Sequence, residues 1–418
     1  MTDRLDVVLF GAVVGELTRV ASGHQPSFTY HPAYADHGRV ALSSRLPLQR
    51  ASFPPSRVMP YLTGLLPENP ATRARWSRTL DVDADDVFAV LAAMGWDCPG
   101  AVQFAVDAAT LSSRGGEYAP LGDADVAARL RLLDENEGSW TMPGEHWSLG
   151  GQQEKFALAR IEGEWYAAHG SASSTHILKP GIRRLHHQAL VEHVTMRAAG
   201  DMGVDVARST FDAFEDQWAI VVERFDRSVD GRVVTRLHHE DFAQACGRPP
   251  ERKYESRGGP TLADLVRVAS AQSRSIRDDR LALADALIIN VVAGAPDGHA
   301  KNVSLLRTPD GTSVAPLYDL ASGLAYSSDR VDRSVALSVG GERIVARIRR
   351  RQWARAANVL DLDAELVLDR VAFLATGYAT AFEKALERLP AGTPGVDEIG
   401  TRAVPALVDH AERVLDGL

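Results

Sequence analysis

Residues 294–306 read "GAPDGHAKNVSLL". An apolar run that predicts a helix precedes this segment, and the strand-like "NVSLLR", residues 302–307, overlaps its end. Between the two, four polar side chains share one short loop: Asp297, His299, Lys301 and Asn302. Ordering these side chains costs conformational entropy, so either the fold or a ligand must hold them.

The spacing within this loop suggests phosphoryl transfer. Asp297 and Asn302 are five residues apart, which is the Asp-to-Asn spacing of the protein-kinase catalytic loop. In that chemistry a carboxylate positions the nucleophile, and carboxylate and amide oxygens hold magnesium. Asp319 in "PLYDLAS" follows a strand-like run and is the candidate metal-binding aspartate of the next loop. The spacing alone also arises by chance.

The segments upstream strengthen this interpretation through their order. A Gly turn in "SLGGQQEK" leads into two runs with partial strand alternation, 156–160 and 164–168, and then into the strand "THILKP", which ends in Lys179 and Pro180. A helical pattern containing Glu192 and two further strands follow. Lys179 occupies the place of a phosphate-binding lysine, although a surface lysine is the alternative. Glu192 either pairs with Lys179 or is solvated. No Walker A pattern is present, which disfavours a P-loop enzyme.

Size and composition limit the class of protein. A chain of 418 residues exceeds the usual size of one compact core, so we expect two lobes. The net charge of -9 argues against bulk nucleic-acid binding but leaves room for a local basic patch. With Cys98 and Cys246 as its cysteines, the chain lacks a disulfide framework. It shows no signal peptide and no bilayer-spanning run, so we expect a cytoplasmic protein without a membrane partner.

The predicted fold class is α+β, with an N-terminal α/β lobe and a mainly α-helical C-terminal lobe. "VVLFGAVVGEL" near the start predicts two strands about a Gly. Helical patterns dominate after about residue 240, including a run from Asp363 to Leu389 with a mild break at Gly377, while "SVAPLYDL" and "VALSVGG" are strand-like. The predicted domains are 1–107, 108–237 and 238–418.

Many of these segments resemble, in order, those of HipA-type toxin kinases. In the later part of the chain they are "SLGGQQEKFALAR", "THILKP", "VERFDR", "HHEDFAQACG", "KYESRGGP", "GAPDGHAKN", "PLYDLAS" and "ALSVGGE"; in the first 105 residues they are "VGELTR", "LPLQR", "LLPENP" and "CPGAVQF". The resemblance covers nearly the whole chain. It implies a bilobal, protein-kinase-like fold in which 1–107 is a HipA-type N-terminal subdomain and 108–237 is the kinase N-lobe.

The resemblance also implies roles for individual residues. Asp297 would be the catalytic aspartate, and Asn302 and Asp319 would hold magnesium. Ser148 matches the serine that these kinases autophosphorylate. The backbone of Leu149, Gly150, Gly151, Gln152 and Gln153 in the Gly loop would cover the ATP phosphates, and Lys179 would contact them. Glu223 and Phe225, on the segment between the lobes, would meet adenine through their backbone groups, and His299 and Tyr318 would lie near the nucleotide. The chain departs from the family pattern at His239, where relatives often carry Gln, and in the Gly loop itself.

The function implied by the resemblance is an ATP- and Mg²⁺-dependent serine/threonine protein kinase, the toxin of a toxin–antitoxin pair. Its substrate would be a translation protein such as an aminoacyl-tRNA synthetase. Its partner would be a small helix-turn-helix antitoxin, with DNA contacted through that complex. The alternatives are a catalytically weak, kinase-like corepressor and a small-molecule kinase.

Two polar clusters have competing interpretations. Residues 238–241, "HHED", fit either a metal cluster or the start of a helix, whose positive end favours acidic residues. A basic segment around Trp353 fits either a solvated face or a patch that contacts DNA phosphates beside the antitoxin. Its members are Arg343, Arg347, Arg349, Arg350, Arg351 and Arg355.

Overall fold

The computed structural model describes residues 3–19, 25–113, 116–135, 138 and 140–418. The chain divides into two compact units. The first unit comprises Met1–Pro180, Asp212–Pro250 and Leu306–Gly311, and the second comprises Gly181–Phe211, Glu251–Leu305 and Thr312–Leu418. Each unit thus combines segments that are distant in sequence. The domain limits at 107/108 and 237/238 stay predictions.

The first unit begins with a sheet of order β3–β2–β1–β4. Its strands are β1 Arg4–Leu9, β2 Ala12–Thr18, β3 Ser27–Tyr30 and β4 Val102–Ala105. The predicted strand pair about a Gly is confirmed, because Gly11 turns between β1 and β2 with a φ of 78° that favours glycine. The helices of this region are α1 Pro32–His37, α2 Pro55–Gly64, α3 Pro70–Leu80 and α4 Val87–Met94. One apolar core joins the strands and helices, with Phe28, Tyr61 and Phe88 fully buried in it.

A second sheet in the chain has the order β5–β7–β6–β8–β10–β9. Its strands are β5 Gly116–Leu121, β6 Phe156–Ile161, β7 Glu164–Gly170, β8 His176–Lys179, β9 Ser209–Phe214 and β10 Gln217–Glu223, and the neighbouring helices are α5 Ala109–Ser113 and α6 Asp123–Glu135. The predicted hairpin, Lys179 strand and following strand pair are therefore confirmed. The apolar core of this sheet contains three large, fully buried side chains: Trp140, Trp147 and Phe156.

Smaller elements follow in the first unit. They are β11 Arg227–Asp230, β12 Val233–Arg236, β13 His238–Asp241 and α8 Phe242–Ala245. Asp241 caps α8 by accepting the backbone N–H of Gln244, which confirms a helix start at "HHED". Glu240 does not serve that end, since its carboxylate accepts from Arg307 at 2.6 Å and from the Ser43 hydroxyl at 2.6 Å. Within the described residues no His, Cys, Asp and Glu cluster could hold a metal ion, so the metal interpretation of 238–241 is wrong.

The second unit is mainly helical. Its helices are α7 Gln188–Asp201, α9 Leu262–Ser270, α10 Ile276–Val292, α11 Arg350–Leu360, α12 Ala364–Glu387 and α13 Val396–Leu415. α12 packs against α7, α10, α11 and α13. The strands β14 Ser304–Thr308 and β15 Gly311–Val314 form a sheet in the order β13–β14–β15, and residues 306–311 belong to the first unit.

Two local predictions for this unit are wrong. α12 continues through Gly377 without a break, and a Cβ there would lie 2.5 Å from the Met202 side chain, so close packing accounts for the glycine. "VALSVGG" forms no strand; it is held by an isolated bridge between Val339 and Glu342. In the part of the chain that the structure describes, none of the helices is both long enough and apolar enough to span a bilayer.

Candidate functional site

The loop that carries Asp297 starts where α10 ends. Gly298 lies directly against this helix, and a Cβ at that position would lie 2.3 Å from Cγ of Asn290. Asn290 is itself held by a hydrogen bond from its Nδ2 to the Ala286 carbonyl at 2.7 Å. The glycine therefore lets the chain turn sharply against the helix end, which places Asp297 at a fixed point.

Hydrogen bonds across the loop bring Asp297 and Asn302 together. Nδ2 of Asn302 donates to the Asp297 carbonyl at 2.9 Å, and the backbone N–H of Asn302 donates to the His299 carbonyl at 2.9 Å. The Asp297 side chain keeps 59% exposure, while that of His299 keeps 3%. Since the Asn302 amide donates through nitrogen, its Oδ1 remains as an oxygen ligand. The loop thus presents an exposed carboxylate beside an oriented amide oxygen.

Tyr254 and its neighbours join this loop, although sequence reasoning assigned them no role. The Tyr254 hydroxyl donates to Oδ1 of Asp297, and its ring packs edge-on against His299 with centroids 4.8 Å apart. The Lys253 carbonyl accepts the Ala300 N–H at 3.3 Å. The segment "KYESRGGP" carries part of the family resemblance, and that resemblance was the available signal for its involvement.

A second short loop, carrying Tyr318 and Asp319, is tied to the first. The Tyr318 hydroxyl donates to the Lys301 carbonyl at 2.7 Å and accepts from the Ser304 hydroxyl at 2.7 Å. Asp319 adopts a left-handed conformation with φ 54°, which costs energy for a residue with a Cβ and is often found at functional sites. Its side chain is half-buried. The second unit therefore holds five of the predicted residues on two linked loops: Asp297, His299, Asn302, Tyr318 and Asp319.

In the first unit, the Gly loop is tethered to the segment that joins α2 to α3. The Gly151 carbonyl accepts from the Glu68 N–H at 2.9 Å, and Gly151 also forms a parallel bridge with Pro67. Asn69 donates from Nδ2 to the Gln152 carbonyl at 3.1 Å, and Lys155 donates from Nζ to the Gly150 carbonyl at 2.9 Å. Gly151 has φ 96°, so a glycine suits this turn.

Ser148 lies at the start of this loop and is fully buried. Its hydroxyl donates to the Leu65 carbonyl at 2.8 Å, and its N–H donates to the Asp97 carbonyl at 3.0 Å. A hydroxyl in this position does not meet solvent. Modification of Ser148 therefore requires the loop to leave this conformation first.

The predicted lysine and the predicted adenine-contact residues lie on neighbouring strands. β8 and β10 pair antiparallel, with Lys179 opposite Ile220 and Glu223 opposite His176. Lys179 is buried, whereas Glu223 is exposed. Phe225 follows β10 and meets the ring of His239 edge-on at 4.9 Å. His239, the departure from the family pattern, therefore contacts a predicted adenine-binding residue.

A buried ionic network centred on Asp97 supports this region, and no sequence pattern predicted it. The Asp97 carboxylate contacts Arg227 at 2.8 Å, Arg236 at 3.2 Å and Arg224 at 3.4 Å, and accepts from Ser174 N–H at 2.9 Å. Burial raises the pKa of Asp97, but the three guanidinium groups outweigh it and hold that pKa at about 2. The carboxylate therefore stays ionised in the folded protein and joins the segment before β8 to the segment after β10, while the Asp97 carbonyl accepts the Ser148 N–H.

Glu192 on α7 is buried with 1% exposure, and Gln188 donates to its carboxylate at 3.2 Å. The solvated alternative for this glutamate is therefore wrong, while its pairing with Lys179 stays a prediction. In the basic segment, Trp353 is buried, and five of the six arginines are exposed: Arg347, Arg349, Arg350, Arg351 and Arg355.

Known proteins match this chain over nearly its whole length. The HipA-like C-terminal domain model matches residues 147–382, and the HipA N-terminal domain model matches residues 5–105. A putative kinase of Sinorhizobium fredii is 34% identical over 392 residues, covering 92% of this chain and 92% of that protein. The serine/threonine-protein kinase toxin HipA of Shewanella oneidensis is 29% identical over 405 residues, covering 92% of this chain and 90% of the toxin.

A solved structure extends the likeness to the fold. The complex of Shewanella oneidensis HipA, HipB and operator DNA contains a chain that aligns with a TM-score of 0.86 at 26% identity, covering 99% of this chain and 97% of that one. This match confirms the predicted fold class, with an α/β N-terminal part and a mainly helical C-terminal part.

Proposed function

The chain belongs to the HipA family of kinase toxins, and we propose that it is an ATP- and Mg²⁺-dependent serine/threonine protein kinase. The loop 294–302 carries this proposal, because it presents an exposed Asp297 carboxylate with Asn302 bonded to its backbone at 2.9 Å. In phosphoryl transfer, an exposed carboxylate accepts the proton of the substrate hydroxyl and directs its oxygen toward the γ-phosphate. The similarity to a putative kinase and to a serine/threonine-protein kinase toxin supports phosphoryl transfer as the reaction.

The side chains of the second unit fit a magnesium ion by their chemistry. Asn302 offers the neutral amide oxygen left by its hydrogen bond, and Asp319 offers a carboxylate on a loop tied by Tyr318. Hard oxygen ligands of this kind are those that magnesium prefers. When bound, the ion would neutralise charge on the phosphates of ATP. We assign Asn302 and Asp319 to hold it.

The first unit carries backbone and side-chain groups that fit the phosphates and the adenine of a nucleotide. The tethered backbone of residues 149–153 offers N–H groups of the kind that cradle phosphates, and Lys179 offers a cation at the end of β8. We assign Glu223 and Phe225 to contact adenine through their backbone groups, and His299 and Tyr318 to lie near the nucleotide. These roles rest on the family resemblance together with the placement of each residue.

We also propose that Ser148 is autophosphorylated and that this silences the enzyme. A phosphoserine carries a charge of about −1.5 to −2, and the Ser148 pocket is fully buried. Burying an uncompensated charge costs more than the loop gains from its hydrogen bonds, which contribute about 0.5–1.5 kcal/mol each. The phosphorylated loop would therefore not return to the conformation in which Ser148 is buried. During long incubation with ATP, the parent should lose activity while Ser148→Ala keeps it; equal time courses would contradict this proposal.

The physiological setting follows from the same family. We propose that the chain is the toxin of a toxin–antitoxin pair, that its partner is a small helix-turn-helix antitoxin, and that its substrate is a translation protein such as an aminoacyl-tRNA synthetase. The partners of HipA in the Shewanella oneidensis structure, HipB and operator DNA, support an antitoxin and a DNA contact.

The exposed arginines of α11 and the segment before it offer a test of the DNA contact. Arg351 and Arg355 are exposed on one helix, and each arginine that neutralises a DNA phosphate adds about one unit to the slope of log affinity against log salt. Replacing both with Gln should weaken operator binding by the antitoxin complex and leave kinase activity unchanged. Unchanged operator affinity would assign these arginines to the solvated face.

Labelled ATP distinguishes the proposed function from its rivals. The purified protein, with γ-labelled ATP, magnesium and a bacterial lysate, should label a protein band, and Asp297→Asn should lower the rate about 10²-fold or more, as expected for loss of a general base. A labelled metabolite would instead indicate a small-molecule kinase. Absence of any label would favour the corepressor.

A further inference from the structure

The segment that sequence reasoning left without a role, 253–260, lies against the catalytic loop within the second unit. Tyr254 donates its hydroxyl to Oδ1 of Asp297. An ionised carboxylate can only accept hydrogen bonds, so the phenol is the donor. Nε2 of His299 lies 3.7 Å from the same oxygen, beyond hydrogen-bonding distance.

The geometry points to Tyr254 as a positioning residue for the proposed transfer, one that fixes the Asp297 carboxylate so that its second oxygen meets the substrate hydroxyl. This inference rests on the proposed function. An aspartate that is 59% exposed has several accessible rotamers, and a misplaced reacting group costs as much as about 10²-fold in rate. With Oδ1 engaged by the phenol, Oδ2 is directed to accept from an incoming serine or threonine.

Tyr254 can hold Asp297 because its own turn is anchored on both sides. Before it, the Lys253 carbonyl accepts the Ala300 N–H at 3.3 Å. After it, the Glu255 carboxylate accepts from the N–H of Ser338 at 2.6 Å and from its hydroxyl at 2.8 Å. Gly259 closes the turn, since a Cβ there would lie 2.6 Å from the Tyr254 carbonyl.

The ring of Tyr254 is also held independently of its hydroxyl. It packs edge-on against His299 at 4.8 Å, and the cationic groups of Lys253 and Arg257 lie 5.8 Å and 5.5 Å from its centroid. Tyr254→Phe keeps these contacts and removes one oxygen. The substitution therefore removes the hydrogen bond to Asp297 and leaves these ring contacts in place.

The main alternative is that the Tyr254 hydroxyl blocks Asp297 rather than positioning it. If the phenol instead occupied the place of the substrate hydroxyl, every turnover would have to displace it, and its removal would raise the rate. Positioning predicts a loss, because a hydrogen bond to a charged group is the interaction removed. The sign of the change in kcat therefore separates positioning from blocking.

The test uses the full-length protein and the lysate protein that the parent labels, purified as the acceptor. For Tyr254→Phe we expect kcat to fall about tenfold, with KM for ATP and for the acceptor within about twofold and with Tm unchanged. A merely structural role would change Tm and KM as well. Tyr34→Phe is the matched control, since it removes the hydroxyl of another half-buried tyrosine, one that donates to the Val40 carbonyl at 2.8 Å in the first unit.

An unchanged or raised kcat for Tyr254→Phe overturns the inference while leaving the proposed function intact. If the parent labels no protein, the proposed function fails and the inference falls with it. Should Tyr254→Phe not fold, Ser338→Ala decides, because it removes one of the two bonds to Glu255 that anchor the turn. A lower kcat at unchanged KM then supports positioning, and an unchanged kcat overturns it.

Discussion

Asn69 links the Gly loop to the rest of the first unit through two separate hydrogen-bonding groups. Its Oδ1 accepts from the backbone N–H groups of Ala71 at 2.9 Å and Thr72 at 3.2 Å, which caps α3. Its Nδ2 donates to the Gln152 carbonyl at 3.1 Å. An aspartate at this position would be an equally good cap but not a donor, so Asn69→Asp changes the loop contact while the helix keeps its cap.

The expected loss of ATP affinity in Asn69→Asp follows from the hydrogen bond between Asn69 and the Gln152 carbonyl. A net hydrogen bond contributes about 0.5–1.5 kcal/mol, and the half-buried position of Asn69 favours the lower half of this range. A carboxylate facing the Gln152 carbonyl adds repulsion. Other hydrogen bonds of the loop remain, from the Glu68 N–H, the Lys155 ammonium, and the N–H and hydroxyl of Ser148. Because about 1.4 kcal/mol corresponds to tenfold in affinity, Asn69→Asp should weaken ATP binding about three- to tenfold.

The assay is a calorimetric titration of the purified protein with a non-hydrolysable ATP analogue and magnesium, combined with a thermal melt. Asn69→Ser is the matched control for charge, since serine caps the helix but neither donates to Gln152 nor repels it electrostatically; it should weaken ATP binding by about threefold or less. Asn69→Ala should also lower Tm, because it removes the cap. ATP affinity equal to that of the parent in both the Asp and Ser variants would refute the view that this tether shapes the nucleotide site.

The remaining predictions concern the stability of the first unit. The pKa of Asp97 is about 2 in the folded protein, against an ordinary value of 3.8. The stability that its ionised form contributes is therefore fully present above pH 3.8 and is lost as the pH falls through 2. In urea unfolding, the difference in unfolding free energy between the parent and Asp97→Asn should shrink by about 1 kcal/mol between pH 5 and pH 3. Arg307→Met leaves the buried Glu240 carboxylate without its guanidinium partner and should cost about 3–5 kcal/mol, whereas adding Glu240→Gln should restore part of that loss. Gly100→Ala should lower Tm by several degrees, because φ is 79° and a Cβ would lie 2.9 Å from the His239 N–H nitrogen.

Local patterns predicted much of the chain. The Gly turn, the hairpin, the Lys179 strand and α7 follow each other in the predicted order, because alternation and helical periodicity report which faces are buried. The same rule failed at "VALSVGG". There Ser338 uses its N–H and hydroxyl to hold Glu255, so a distant side chain takes the place of a strand neighbour. Periodicity carries no information about such a partner.

The candidate site shows the same limit. The spacing of Asp297 and Asn302 was readable because both residues lie on one loop, where the backbone fixes their relation. Tyr254 lies 43 residues before Asp297, and Asn69 lies 83 residues before Gln152. No local rule links residues so far apart. The family resemblance pointed to their segments without saying which atoms meet.

The Asp97 network explains why such long-range contacts have to form together. Asp97, Arg224 and Arg227 are almost fully buried, and a charge removed from water is tolerated only when its partners are in place. Asp97 also accepts the Ser148 N–H through its carbonyl, while Arg224 donates from its N–H to the Thr175 carbonyl at 2.9 Å. The start of the Gly loop, the segment before β8 and the segment after β10 are therefore linked by the Asp97 ion pairs together with these backbone hydrogen bonds. A partly formed network would leave the Asp97 carboxylate buried without its guanidinium partners, so these three segments should order in one step, and loosening any one of them should loosen the others.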